Sequence, residues 1–395
     1  MARRFVAWAF VGEAIPIYPV YALLFVDAGL SDGQISALLA IWSAVGIAAE
    51  VPMGALADRW SHRNALVAGA LLQALGYVAW IAASGFTGFA IGFVVWALGG
   101  ALVSGSSEAL LYEGLKAAGA ADHYARVQGW ATAAEFLAFI PAVLVATALL
   151  PIGGYAAIGW VSVATCLAAA VLAARLPAAP ATAEPGEDGT STLRAGLREA
   201  MRPTVAGTVV ALAVIGGFDA IEEYFPLLAQ DWGVPTGWVP LAVLVVTLAG
   251  ALGAALGGRF AGISRFGVAL LTGGAATALA VAGLVAAVGG LLALAAFYLL
   301  HHLVLVVLDA RLQARIEGPA RATTTSVAGL GTEVVGLALF GVWAAGHLAL
   351  VTALWLAVAA ILPLLLGRAR RSAMIGAERR TDERSDEAGL VRGRG

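Results

Sequence analysis

Apolar runs of about 20 residues recur along the whole chain, and each can cross a bilayer core roughly 30 Å thick as an α-helix. Soluble cores could not hide them: 61% of the 395 residues are hydrophobic, 12% are charged, and the mean hydropathy is +0.89. The sequence therefore specifies a polytopic helical membrane protein. Six runs, Phe5–Val26, Gln34–Ala57, Asn64–Ser84, Phe86–Tyr112, Gln128–Leu150 and Tyr155–Arg175, precede six more, Thr204–Leu228, Thr236–Gly258, Phe266–Val288, Gly290–Leu312, Ala322–His347 and Leu348–Arg368. They are numbered here as the first to twelfth spans. The start Met-Ala-Arg-Arg before an apolar stretch is read as the first span and not as a signal peptide, because Glu13 interrupts it and another span follows at once.

Orientation follows from where the charges lie, since their sum is only −2. All 23 Lys and Arg residues fall at the amino terminus, at or in the loops after the second, fourth, sixth, eighth and tenth spans, or in the carboxyl tail. The opposite loops hold Asp27, Asp32 and Asp231, with Trp232 and Trp238 as interfacial anchors. The positive-inside rule then puts both termini in the cytoplasm. Abundant Ala and Gly with a single lysine, Lys116, point to a GC-rich genome and so to a bacterial inner membrane. The lone Cys166 excludes an internal disulfide framework. No nucleotide-binding motif is present, and neither a nucleic-acid partner nor an oligomer is expected.

A stretch rich in Pro, Ala, Gly and acids, Pro177 to Thr192, divides the chain. The expected domains are residues 1–176, a linker over 177–203, residues 204–368, and a disordered tail over 369–395. Within the linker Leu193, Leu197 and Met201 oppose Arg194, Arg198 and Arg202, a pattern that suits a short amphipathic helix on the inner leaflet.

Three carboxylates interrupt the seventh span. Asp219, Glu222, Glu223 and Pro226 fall at i, i+3, i+4 and i+7, so α-helical geometry would put all four on one face. An ionised acid near the bilayer centre costs about 2.5–3.5 kcal/mol on insertion scales, and no Lys or Arg lies nearby in sequence to offset it. The first span carries a reduced copy, Glu13-Ala-Ile-Pro-Ile-Tyr18 against Asp219-Ala-Ile-Glu-Glu-Tyr224. Ala55-Leu-Ala-Asp58-Arg59-Trp60 likewise parallels Ala255-Leu-Gly-Gly-Arg259-Phe260, and Glu108-Ala109 parallels Asp309-Ala310. These pairs indicate two halves of one design, a plan in which transporter halves rock about a central site.

Acids within or beside the spans are Glu13, Glu50, Glu108, Glu135, Asp219, Glu222, Glu223, Asp309 and Glu333, while no basic residue lies deeper than Arg311. A cavity with that balance favours cations or neutral solutes. Carboxylates crowded together there resist ionising at once, so proton carriage is expected, driven by the proton motive force with no cofactor. His301 and His302 precede Asp309, and His302 shares its helix face as a possible proton relay or a packing group. No metal-ligand spacing is evident and no metal is expected. Gly250, Gly253, Gly257 and Gly258 read as a close-packing stripe.

The stretch Gly54-Ala-Leu-Ala-Asp58-Arg59-Trp-Ser-His62-Arg63 resembles the loop signature Gly-x-x-x-Asp-Arg/Lys-x-Gly-Arg/Lys-Arg/Lys of the major facilitator superfamily, with Ser61 in place of the usual Gly. Glu50-Val-Pro52-Met-Gly54 and Ser107-Glu108-Ala-Leu-Leu-Tyr112 also look like drug or solute transporters of that superfamily. The fourth span lacks the Arg of many proton-coupled members, and the fifth lacks the Gly-Pro-x-x-Gly-Gly element of drug/proton antiporters.

The resemblance implies an all-α membrane protein of twelve transmembrane helices in two pseudo-symmetric six-helix bundles, without enzymatic activity. It further implies that the first, fourth, seventh and tenth spans line a central cavity. Glu13 and Asp219 then face each other near mid-membrane, with Glu222, Glu223, Tyr18, Tyr224 and His302 around a proton-and-substrate site. Glu108, Asp309 and Arg311 are expected as gate residues whose salt bridges, with Arg126 or Arg315 as further partners, form and break as the halves rock. Gly54, Asp58, Arg59 and Arg63 form the loop motif, in which Asp58 latches the outward-open form against the inner end of the eleventh span, near Ala322 and Thr323. Glu135 and Glu333 are candidates for a second protonation site or for helix caps. The function expected is a proton-coupled transporter exporting a lipophilic neutral or cationic compound. The alternative is a symporter importing a small polar solute, for which more Asn and Gln along the lining spans would be expected.

Overall fold

Local signals set where the spans begin and break. The Ser31 hydroxyl accepts from the Gln34 N–H while the Gln34 side chain accepts from the Ser31 N–H, a capping box that starts the second span at Asp32–Trp60. Ser264 caps the ninth, Arg265–Val285, in a similar way. A computed structural model describes residues 1–177, 198–316 and 321–392, with side chains placed up to residue 366 except for 321–323. Nine helices among the described residues are long and apolar enough to cross a membrane. One of these turns at Gly154 (φ 59°) and another at His347 (φ 50°), so each supplies two spans. The first span is itself divided, and with it the count becomes the twelve crossings expected. Most of the expected linker, with its amphipathic helix, lies outside the described residues.

The first and seventh spans are both discontinuous. The first runs Ala2–Glu13, turns through Pro16 and Pro19, and resumes as Tyr21–Asp27. In a bilayer the freed backbone must find partners, and the Ser162 hydroxyl accepts from the Ile17 N–H at 3.0 Å. The seventh runs Pro203–Gly217, tightens to a 3₁₀ helix over Phe218–Tyr224, and returns to α-helix at Phe225–Asp231, where Pro226 sits in the first turn. The two breaks fall on the paired motifs at Glu13 and Asp219.

Small residues bring the helices close. Gly69 of the third span meets Gly99 of the fourth so closely that a Cβ on either would lie 2.7 Å from the other's carbonyl oxygen. On the eighth span, a Cβ at Gly250 would lie 2.6 Å from the Tyr298 ring and 2.8 Å from the His302 ring of the tenth. Gly253 and Gly257 abut Leu299 and Val306 in the same seam, whereas Gly258, expected with them, has no neighbour within 4 Å. Gly253→Leu should therefore destabilise the protein by about 1–3 kcal/mol. The check is the melting temperature in detergent, which should fall clearly, while Gly258→Ala should leave it in place.

The halves join at the end remote from the basic loops. Tyr21 donates to Glu223, the Ser36 and Tyr224 hydroxyls lie 2.8 Å apart, and His347 Nδ1 is 3.0 Å from Asp32. Toward the basic end the spans splay: Val51 is 79% exposed, and Asp58, Arg59 and Trp60 are exposed as well. The cavity between the halves thus opens on the basic side.

The last helix continues to Arg392, with 393–395 outside the described residues.

Candidate functional site

The acids of the seventh span do not share one face. A 3₁₀ helix has 3.0 residues per turn, so positions three apart eclipse while the fourth points elsewhere. Asp219 and Glu222 accordingly face the tenth span, where Asp219 Oδ1 lies 3.2 Å from His301 Nε2 and 3.4 Å from His302 Nε2 and Tyr298 donates to Glu222. Glu223 turns across to the first span, where it accepts from Tyr21. The expected single acidic stripe is corrected into two: one pair bound within the second half, and one carboxylate bridging the halves.

Glu13 stands at the carboxyl end of the first helix, before the proline turn, with its side chain open to a cavity. That cavity, about 540 Å³, is lined by Glu13, Glu135, Glu222 and Glu223 together with Tyr18, Tyr21, Trp42, Trp96, Phe136, Phe139 and Phe225. A smaller one, about 190 Å³, holds Asp219 and Glu333, again with Glu222 and Glu223. Glu13 and Asp219 therefore do not face each other in one chamber. They line adjoining chambers that share Glu222 and Glu223. A third space of about 540 Å³, lined by Glu50, Ser104 and Glu333 among others, lies toward the basic end between the second, fourth and eleventh spans. Ser104 donates to Glu50 there at 2.9 Å. No Lys or Arg is among the residues lining these three spaces.

Glu135 joins the aromatic chamber, and Glu333 lines the other two, so each of these candidates opens to the central space. Tyr18 stacks on Trp96 (centroids 5.4 Å, 22°), and Trp42 lies 5.4 Å from Trp96. Tyr224, expected as a ligand group, is instead buried, stacked on Trp343 at 3.9 Å and tied to Ser36. Trp42, Trp96, Phe136 and Phe139 were missed from sequence. Their signal, large aromatics in the middle of spans otherwise built from Gly, Ala and Val, was present but indistinguishable from lipid-facing packing. The lining spans also differ from those expected, because the second, fifth, eighth and eleventh contribute while no residue of the tenth lines these three spaces.

The gate candidates are apart in this conformation. Glu108 and Asp309 are exposed, and no arginine ion pair to either is formed among the described residues. Arg311 donates to the carbonyls of Ile263 and Ser264, Arg315 donates to Thr208, and Asp309 accepts from Gln313 at 3.5 Å. His302, read as aligned with Asp309, reaches Asp219 instead. Asp58 is exposed, and the amino end of the eleventh span near Ala322 and Thr323 lies outside the described side chains. Gly54 has open space around it, and His62 lies 3.5 Å from Glu113 beside Arg63.

One grouping of potential metal ligands was not foreseen from the sequence. Asp219, His301 and His302 bring one ligand atom each within 4.8 Å of one another. Sequence spacing hid this, since the carboxylate lies on another helix 82 positions from His301.

A family model described as Major Facilitator Superfamily matches residues 5–349. Comparison with curated protein sequences gives no match. Among solved structures, a bacterial homologue of the human lysosomal transporter Spinster, in an inward-facing and unoccupied conformation, superposes with a TM-score of 0.70 at 16% identity, covering 93% of this chain and 96% of its own. The D-xylose–proton symporter (TM-score 0.67, 13% identity, 91% and 95% covered) and the nucleoside transporter NupG (0.70, 12%, 94% and 98%) share the same fold.

Proposed function

This chain belongs to the major facilitator superfamily, a family of membrane transporters, and from that premise we propose that it is a proton-coupled secondary transporter that exports a lipophilic cation by alternating access. It resides in a bacterial inner membrane as a monomer with both termini in the cytoplasm, so the opening on the basic side is the inward-open state. The observation that carries this reading is the aromatic chamber. Glu13, Glu135, Glu222 and Glu223 surround an apolar space of about 540 Å³, a volume that suits a drug-sized ligand, with no basic residue among those lining it. An organic cation is held there by carboxylates and by the faces of Tyr18, Trp42 and Trp96. Protons and the cation compete for the same carboxylates, and that competition couples the two fluxes.

As the halves rock, Tyr21 must release Glu223 and the Ser36–Tyr224 and Asp32–His347 contacts must open. Closure on the other side brings Asp58 to the amino end of the eleventh span, whose dipole favours a carboxylate. Asp58→Ala is expected to slow turnover about tenfold or more while changing substrate affinity less than about twofold, because it removes one end state's latch and no ligand contact. Transport rate and binding measured on the same preparation check this, and unchanged turnover rejects the latch.

The reading is tested by a susceptibility screen of lipophilic cations in an efflux-deficient host, with and without an uncoupler. Protection that disappears on uncoupling supports export, and no protection against any compound rejects it. Import of a small polar solute is the second reading, favoured by the fold shared with the D-xylose–proton symporter. The aromatic lining offers such a solute few hydrogen-bond partners.

A further inference from the structure

We infer that Asp219, His301 and His302 form a binding site for one divalent transition-metal ion, of the zinc or cobalt kind, in the second half of the protein. The argument starts with distances. Ligand atoms about 2.0–2.1 Å from a tetrahedral ion lie roughly 3.3–3.5 Å from one another. Asp219 Oδ1 lies 3.2 Å from His301 Nε2 and 3.4 Å from His302 Nε2, and all three atoms fall within 4.8 Å. Two edges of a coordination polyhedron are thus already set, and the third, between the two imidazoles, is no longer than 4.8 Å.

The donors are also held in place. His301 is fully buried, with its ring stacked by Phe297 (5.7 Å) and Tyr298 (5.9 Å) and backed by Trp355 (5.3 Å). His302 stands edge-to-face with Tyr298 at 4.4 Å, in the space left by the missing side chain of Gly250. Asp219 projects from the 3₁₀ segment whose pitch aims it at the tenth span. Side chains locked in this way lose little entropy on binding an ion.

The chemistry of the donors selects the ion. One carboxylate with two imidazoles suits zinc, cobalt or nickel, whereas calcium and magnesium prefer oxygen alone. Asp219 opens to the small chamber that also holds Glu222, Glu223 and Glu333. This gives a cation an acidic approach, and Glu222 or water can complete the shell. The site differs from the aromatic chamber, and its occupancy does not depend on the transport reading.

The test uses the detergent-purified full chain with its affinity tag removed, titrated with Co²⁺. The expected result is a single equivalent bound, with the visible d–d bands of nitrogen and oxygen ligation, displaced by Zn²⁺. Asp219→Asn and His302→Gln should each weaken binding at least about tenfold, and Glu13→Gln should not. His302→Cys restores a ligand, so it should retain binding and add a thiolate-to-metal charge-transfer band. Wild-type protein without d–d bands overturns the site, as does unaltered affinity in both Asp219→Asn and His302→Gln or a His302→Cys spectrum lacking the new band.

Discussion

Asp219→Asn is expected to abolish proton-driven transport, lowering the initial rate in proteoliposomes with an imposed pH gradient by about 100-fold or more. Asn keeps the size of the side chain and can still hydrogen-bond His301 or His302, but it cannot gain or lose a proton. The helix break over Phe218–Tyr224 is a backbone feature and survives the change, so the protein should still fold and remain monodisperse. Glu13→Gln is expected to behave alike, because Glu13 occupies the matching break in the first span and opens to the chamber shared with Glu222 and Glu223. Substrate exchange across the membrane without a gradient should persist in both variants, since it needs the rocking motion and not net proton movement. Wild-type gradient-driven rates in both variants would remove these carboxylates from the coupling mechanism and leave only a hydrogen-bonding role.

Trp96→Ala should weaken binding of a fluorescent lipophilic cation by roughly 30-fold, the equivalent of about 2 kcal/mol for a desolvated cation on an aromatic face. The estimate takes the upper part of the usual range because Trp96 also supports its neighbours. It stacks on Tyr18 at 5.4 Å and 22° and lies 5.4 Å from Trp42, so its removal loosens both remaining rings. Trp96→Phe keeps a face in the same place and should recover most of the affinity. If Ala binds as tightly as wild type by fluorescence titration, the aromatic wall is packing alone and the ligand sits elsewhere.

Two contrasts separate what was readable in the sequence from what was not. The glycine stripe at Gly250, Gly253 and Gly257 was recognisable because only a missing side chain permits that approach, and the structure puts the tenth span against it. The carboxylate stripe of the seventh span was misread because α-helical periodicity was assumed across a segment that tightens to three residues per turn. The partnership of Asp219 with His301 and His302 carried no sequence signal at all. His302 was assigned to Asp309 by heptad spacing on its own helix, while its partner lies on another.

The sequence by itself determined that the chain spans a membrane twelve times as helices, that it is built from two related halves, and that acids are sunk into the first and seventh spans. These follow from rules that act locally, since lipid demands that each stretch be apolar and satisfy its own backbone. Only the tertiary structure decided which acid meets which partner, that Glu222 and Glu223 join two chambers, and that Trp42 and Trp96 wall one of them. Those outcomes depend on the rotation of each helix about its axis, which is fixed by the fit between distant spans and by no single stretch of chain.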